Sequence, residues 1–258
     1  MSFPVHPDKR AGQAVLTPQA MIAYRQRSGL LPVMEAPSAV ILCLQRGLPE
    51  RMRGRYPLRR VARLMGDLYL LKRSRGAVAV MTNFGIGAPQ MAALAEELIA
   101  WGARRLVSLS MAGGLLPELS AGGIVVCTQA IRDEGTSYHY LAPAKYVDAD
   151  PGLVEDLARA FQSLGIPMTK GVTWTTDGAY RETMEEVRAY QAEGVNTVEM
   201  ETAALFAVGK ARGVQTATVC VVGDSLARLS WELPEDMGPV ERGLAAAYAA
   251  AIEALSGR

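Results

Sequence analysis

Apolar and polar positions along the chain fall into two alternating textures. Short, nearly continuous apolar runs occur at 38–44 (SAVILCL), 77–84 (AVAVMTNF), 105–110 (RLVSLS), 123–131 (GIVVCTQAI), 171–176 (GVTWTT) and 216–222 (TATVCVV). Each predicts a strand. Between them lie stretches with apolar residues every three or four positions. In PQMAALAEELIAW, Met91, Leu94, Ala95, Leu98 and Ile99 make one stripe, with Pro89 early and Gly102 just past the end, which predicts a helix. A second helix starts with Asp150 as N-cap and Pro151 in the first turn, carries Leu153, Val154, Leu157 and Phe161 inward and stops at Gly165. A third follows VEMET and stops at Gly213. Strands that are nearly all apolar need both faces of their sheet covered, so the pattern predicts an α/β fold with helices on both sides. In such sheets ligands bind beyond the carboxyl ends of the strands, and functional residues are expected there. Residues 1–37 read as an irregular or short-helical arm, and residues 38–258 as a single α/β domain.

Composition narrows the function classes. The 27 basic and 26 acidic residues leave a net charge of +1, so no global field recruits nucleic acid or an anionic membrane. Small-molecule substrates remain. Cys43, Cys127 and Cys220 are odd in number, distant in sequence and set in apolar runs, which suits reduced core thiols and a cytoplasmic location. LAAAYAAAI is too short to span a bilayer, and MSFPVHPDKR lacks the apolar core of a signal peptide. No cofactor is expected. GIGAPQ lacks the third glycine of a dinucleotide fingerprint, no Gly-Lys-Ser/Thr loop occurs, and two histidines with scattered cysteines make no metal cluster.

Candidate chemistry centres on two acidic stretches. VVGDSLARL contains the letters GDSL, which suggest a serine esterase with Ser225 as nucleophile. A serine nucleophile needs a histidine base, however, and the two histidines, His6 and His139, both lie far upstream. Ser225 therefore reads as a turn or cap residue. Asp224 closes an apolar strand at the sheet's carboxyl edge, where a carboxylate serves either as a helix cap or as a general acid. NTVEMETAALFAVGKARG places Glu199 and Glu201 around Met200 at the mouth of a helix. Taken alone, two acids there can simply complement the helix dipole. The apolar neighbours Ala203, Ala204, Leu205, Ala207 and Val208 suggest that Glu201 points into an enclosed place.

These stretches together resemble the purine nucleoside phosphorylase and uridine phosphorylase superfamily, which also includes nucleosidases. VEMETAALFAVGKARGV, a strand and then GDS resemble its Glu-Met-Glu helix and strand-end turn. TNFGIGAPQ resembles its Gly-x-Gly-x-Pro-Ser loop, SMAGGLLPELSAGGIVV its glycine-rich segment, and GVTWTTDGAYRE its base-pocket strand, in the same order over roughly residues 38–255. The resemblance implies a single domain with a twisted, mixed central sheet flanked by helices, and cleavage of a nucleoside N-glycosidic bond by phosphate. It also implies roles. Asp224 would protonate N7 of a departing purine, Glu201 would accept the ribose hydroxyls, and Met200 would pack under the sugar. Glu199 and Tyr180 would lie near the base, with Trp174 a further stacking candidate, although Ala179 stands where relatives have Phe. Gly47, Arg51 and Met111 fall at the phosphate positions.

Several positions depart from the family pattern. AYRETMEE lacks the Gln-x-Arg pair with which uridine-cleaving members read uracil, so purine is favoured. Leu48 replaces an Asp in the first phosphate loop, Ser108 stands where a strand Arg belongs, and Met111 where a hydroxyl belongs. Ten Lys or Arg against two acids between Arg46 and Arg75 offer a replacement anion site or, more plainly, a solvated basic helix face or interface strip. In the family a neighbouring subunit often lends an arginine, so a dimer-based homo-oligomer, up to a hexamer, is expected. SMAGGL also resembles the turn of superfamily nucleosidases. The alternatives are thus a nucleosidase using water, and a non-catalytic nucleoside-binding or storage protein. His139, in DEGTSYHY after a strand, is a minor candidate for the site.

Overall fold

The computed structural model describes residues 5, 6 and 8–256. Among them, ten strands pair into one mixed sheet: β1 (Ala39–Cys43), β2 (Leu58–Arg63), β3 (Asp67–Leu71), β4 (Val78–Thr82), β5 (Arg105–Gly114), β6 (Ile124–Asp133), β7 (Tyr146–Asp148), β8 (Thr169–Thr176), β9 (Thr197–Glu199) and β10 (Gln215–Ser225). Every residue of β1 and β4 is buried, as expected of strands covered on both faces. β4, β1, β5 and β10 run parallel to one another, and so do β6, β8 and β9. The two groups meet antiparallel, β10 against β6 and β9 against β5. Because β10 pairs with both β5 and β6, the strands β10, β6, β8, β9 and β5 close into a ring.

Among the described residues seven α-helices flank this sheet: α1 (Pro18–Arg27), α2 (Leu48–Arg51), α3 (Ala88–Trp101), α4 (Pro151–Ser163), α5 (Met184–Ala192), α6 (Thr202–Arg212) and α7 (Gly238–Ser256). The α3 stripe of Met91, Leu94, Ala95, Leu98 and Ile99 is buried. Asp150 caps α4 by accepting the Leu153 amide at 2.8 Å, and α6 stops at Gly213 in the left-handed region, φ +65°. A Cβ on Gly209 of α6 would lie 2.4 Å from Thr216 Cγ2, and one on Gly243 of α7 would lie 2.8 Å from Val221 Cγ1. Positions 216 and 221 of β10 differ in parity and so face opposite sides of the sheet. α6 and α7 therefore cover the two faces, and small residues let them approach closely.

Two features depart from the sequence expectation. The arginine-rich stretch is not a basic helix face over most of its length: β2 and β3 form an antiparallel pair at the sheet's edge, with Leu58 and Ala62 buried and Arg59, Arg60 and Arg63 exposed. A charged edge strand of this kind resists pairing with further strands. β5 runs on through Met111 to Gly114 where glycines suggested a turn. Within residues 1–37, α1 docks on α3 through a two-pronged bond from Arg25 to Glu97, at 2.8 and 3.0 Å. No helix among the described residues is long and apolar enough to cross a membrane.

Candidate active site

The carboxyl end of β5 is where the candidate residues gather. Gly113 pairs with Asp224 of β10 on one side and with Val198 of β9 on the other. A Cβ at Gly113 would stand 2.6 Å from Leu226 Cδ1, 3.0 Å from Val198 Cγ1 and 3.7 Å from Asp224 Oδ1, so the crowding is possible only with glycine there. β8 pairs with β9, Thr175 opposite Glu199. The ends of β8, β9 and β10 thus share one region, and a cavity of about 980 Å³ opens there. Its walls include Asp177, Tyr180, Glu182, Met200, Asp224 and Trp231, with Ile86, Met184, Leu226 and Leu229 supplying apolar surface.

Asp224 and Met200 stand on the wall of this cavity, as does Tyr180, which is fully exposed. Asp224 Oδ2 accepts the Trp231 indole N–H at 2.7 Å. Glu201, next to Met200, is 4% exposed, and its Oε1 accepts the amide of Gly87 at 2.5 Å. Gly87 caps α3 with φ +98°, a backbone conformation that glycine adopts without strain. Burial first, and then the negative charge of Glu199, push the Glu201 carboxyl up to about 7, while the Gly87 amide pulls it down.

Glu199 was expected near the base, but the fold turns it the other way. Its carboxylate is 5% exposed and accepts the Thr175 hydroxyl at 2.6 Å and the amides of Glu201 and Thr202 at 2.8 Å each. It is not on the cavity wall. The start of α6 leaves amides without intrahelical acceptors at the positive end of its dipole, and Glu199, ending β9 just before it, satisfies them. Burial nonetheless raises its pKa.

The phosphate-site candidates form a separate group. Gly47 has φ +75°, and a Cβ there would lie 3.3 Å from Arg51 Nη1. Gln45 Nε2 is 3.7 Å from Met111 Sδ, which ties this loop to the end of β5. Met111 in turn packs on Gly223, where a Cβ would overlap Met111 Cγ at 2.3 Å. Met111 thus sits between the Gln45 loop and Gly223, the residue before Asp224, and Gly47, Arg51 and Met111 do not line the cavity. Ser108 is buried in β5 and its hydroxyl has no hydrogen-bond partner. Arg181 is the cationic side chain on the wall.

The remaining candidates find ordinary places. Ser225 Oγ accepts the Ala227 amide at 3.2 Å, the geometry of a turn, and no histidine lines the cavity. Trp174 is buried, donates its indole N–H to Asp133 at 2.9 Å and packs on Tyr190, so it belongs to the core. His139 lies in a 3-10 turn, Ser137–His139, off the cavity wall. Cys127 and Cys220, far apart in sequence, bring their buried sulfurs to 3.6 Å as free thiols. Among the described residues no group of three or more His, Cys, Asp or Glu is placed to hold a metal. Among the wall residues that escaped the sequence reading are Asp177, Arg181, Glu182 and Trp231. For Glu182 a signal existed. Thr183 and Glu186 form a capping box that fixes the start of α5, which puts Glu182 just outside the helix, in the loop beside Tyr180. Nothing local marks Trp231.

Comparison with known proteins fits this geometry. A uridine phosphorylase from Treponema pallidum is 35% identical over 157 residues, 56% of this chain and 60% of that protein. A guanosine phosphorylase from Halorubrum lacusprofundi is 27% identical over 177 residues, 65% of this chain and 73% of that protein. The chain thus spans about 60% of the length of the Treponema relative. An AMP nucleosidase structure from Bacteroides thetaiotaomicron shares the fold, with a TM-score of 0.71 and 20% identity over 91% of this chain and 96% of that one. The sequence profile of the phosphorylase superfamily matches residues 55–255, which include every strand from β2 to β10 and all of the cavity wall. The chain belongs to the phosphorylase superfamily.

Proposed function

We propose that the protein cleaves the N-glycosidic bond of ribonucleosides, purines in preference to uridine, with phosphate as nucleophile, giving ribose 1-phosphate and free base. The observation that carries this reading is that Asp224 and Met200 line one cavity, while Glu201, next to Met200 in the chain, is buried off its wall and accepts the Gly87 amide. A carboxylate that accepts two hydroxyl donors can grip a ribose, and a second acid can protonate the base as it leaves. Proton donation to a leaving group contributes about 10²–10⁴-fold when well placed. No cofactor is required beyond phosphate itself. The wall carries no Gln-x-Arg pair for uracil, which favours purine. The buried free thiols suit a reducing compartment such as the cytoplasm.

Hydrolysis by a nucleosidase is the second reading. Ser108 and Met111 stand where phosphorylases place a cation and a hydroxyl, and Gly47 and Arg51 lie outside the cavity wall. Similarity to the AMP nucleosidase structure supports the same alternative. One assay separates the two: incubate inosine, guanosine, adenosine and uridine with and without phosphate and measure free base. Base release that depends on phosphate supports the phosphorylase, and release without phosphate the nucleosidase. Nucleoside binding without turnover would instead mark a storage protein. In the same assay Asp224→Asn lowers purine cleavage by at least about tenfold while nucleoside binding persists. Unchanged turnover in that variant removes Asp224 from the mechanism.

A further inference from the structure

A second cavity, of about 570 Å³, lies at the other end of the sheet, framed by the segment that enters β1, the end of β3 and the turn that leads into β4. Ala39 of β1 pairs with Arg105 of β5, eight residues before Gly113, so roughly 26 Å of strand separates this cavity from the candidate active site. Its wall carries three exposed cations, Arg59, Lys72 and Arg75. Their side chains form no hydrogen bond or ion pair among the described residues, and neither does Glu35, the acid on the same wall. Elsewhere exposed cations find acids, as Lys145 does Glu193 and Lys170 does Glu155. Here the nearby acids are taken. Of the two between Arg46 and Arg75, Glu50 accepts the Tyr69 hydroxyl at 3.2 Å, and Asp67 is shared by Arg60 and Asn83. The turn that carries Lys72 and Arg75 is fixed: Ser74 Oγ donates to the Leu71 carbonyl at 2.8 Å and accepts the Val78 amide at 3.0 Å. Arg75 has φ +53°, in the left-handed region that disfavours a residue with a Cβ. An arginine held where glycine is easier, sharing a concave wall with two more unpaired cations, marks a place built to meet negative charge.

We propose that this cavity is a second binding site, for a small organic molecule that carries two or more phosphate groups. The inference is independent of nucleoside cleavage at the strand ends. Three cations against one acid leave a surplus of positive charge on the wall, and more than one phosphate is needed to answer it. A guanidinium pairs with phosphate oxygens through two parallel N–H donors, which Arg59 and Arg75 supply, while the Lys72 ammonium adds a compact point charge. The organic part follows from the rest of the cavity. Its volume exceeds what a lone phosphate fills and falls within the range of small-ligand sites, about 300–1,000 Å³. Buried Leu70 and Leu71 and half-buried Met34 give it an apolar floor, against which a phosphate alone would gain nothing. The surplus cations of the arginine-rich stretch thereby acquire a role away from the candidate active site.

The test is calorimetric titration of the full chain with a nucleotide, ADP, and a sugar phosphate, fructose 1,6-bisphosphate, at low ionic strength, where exposed charges are least screened. Adenosine and inorganic phosphate serve as controls. At least one of the two probes binds more tightly than either control, and which one binds identifies the organic part. Arg59→Gln, Lys72→Gln and Arg75→Gly each weaken that probe about tenfold, the usual share of one charge-assisted hydrogen bond. Glycine suits the left-handed turn, so Arg75→Gly keeps its Tm while it loses affinity, which separates lost binding from lost folding. Arg63→Gln removes an exposed cation of β2 that is not on the wall and changes the affinity less than about twofold. Asp224→Asn, in the other cavity, leaves it unchanged. The site is overturned if neither probe outbinds the controls, if the three wall variants bind like the native chain, or if Arg63→Gln or Asp224→Asn weakens the probe as much as they do. Release of base from nucleosides is measured separately, so either reading can fail while the other stands.

Discussion

Glu201 sits in the fold at a free-energy cost that depends on pH. Its carboxyl is raised from the ordinary 4.5 to about 7, mainly by burial. Below about pH 4.5 it is protonated in both the folded and unfolded chain and contributes nothing to the difference. Between about 4.5 and 7 the unfolded chain releases its proton while the folded one keeps it, so stability falls as pH rises through this window. Above pH 7 the full cost remains, on the order of 3 kcal/mol. Glu201→Gln keeps an oxygen for the Gly87 amide and removes the charge, so it should raise Tm at pH 8, with the gain shrinking toward zero near pH 4.5, while ribonucleoside affinity drops. Thermal melts across that range check it, and a variant no more stable than the parent at pH 8 would falsify the burial argument. The burial of Glu201 and the strand-end position of Asp224 were legible because their neighbours in sequence report burial and strand ends. Glu199 was not, because an acid before a helix reads the same whether it faces a ligand or caps the helix.

Secondary-structure elements carry these side chains to their places through close backbone approaches. α6 begins directly after Glu201, and its position is set where Gly209 meets Thr216 of β10. Gly209→Ala would place a methyl 2.4–2.5 Å from the Thr216 side chain, an overpacked contact between helix and strand. A loss of about 1–3 kcal/mol is expected, read as a lower Tm or denaturation midpoint. An unchanged midpoint would mean that α6 shifts freely on β10. The stripes of α3 and α4 and the apolar runs of β1, β4 and β10 were readable because they are long enough to show a period or a continuous core. β7 and β9 are three residues each, too short for either. β2 was hidden by its arginines, which an edge strand tolerates on its exposed side.

At the scale of the fold, the described residues present an apolar rim around the cavity mouth. Ile86, Tyr180, Met184 and Trp231 line the cavity and remain largely exposed. Clustered exposed apolar side chains of this kind mark contact surfaces. We accordingly propose a homo-oligomer whose subunits meet near the mouth, so that Trp231→Asp together with Met184→Asp shifts its sedimentation toward the monomer. A native chain that sediments as a monomer at micromolar concentration removes this proposal.

Periodicity, caps and motif order were enough to establish an α/β chain with its acids at strand ends, since these are local properties of burial and backbone conformation. The closure of five strands into a ring, the meeting of Asp224 with Val198 at Gly113, and the presence of Glu182 and Trp231 on one wall depend on pairings between residues far apart in the chain. No local pattern encodes those distances. They arise when α6 and α7 press on opposite faces of β10 and the packed core leaves a cavity where the strand ends converge.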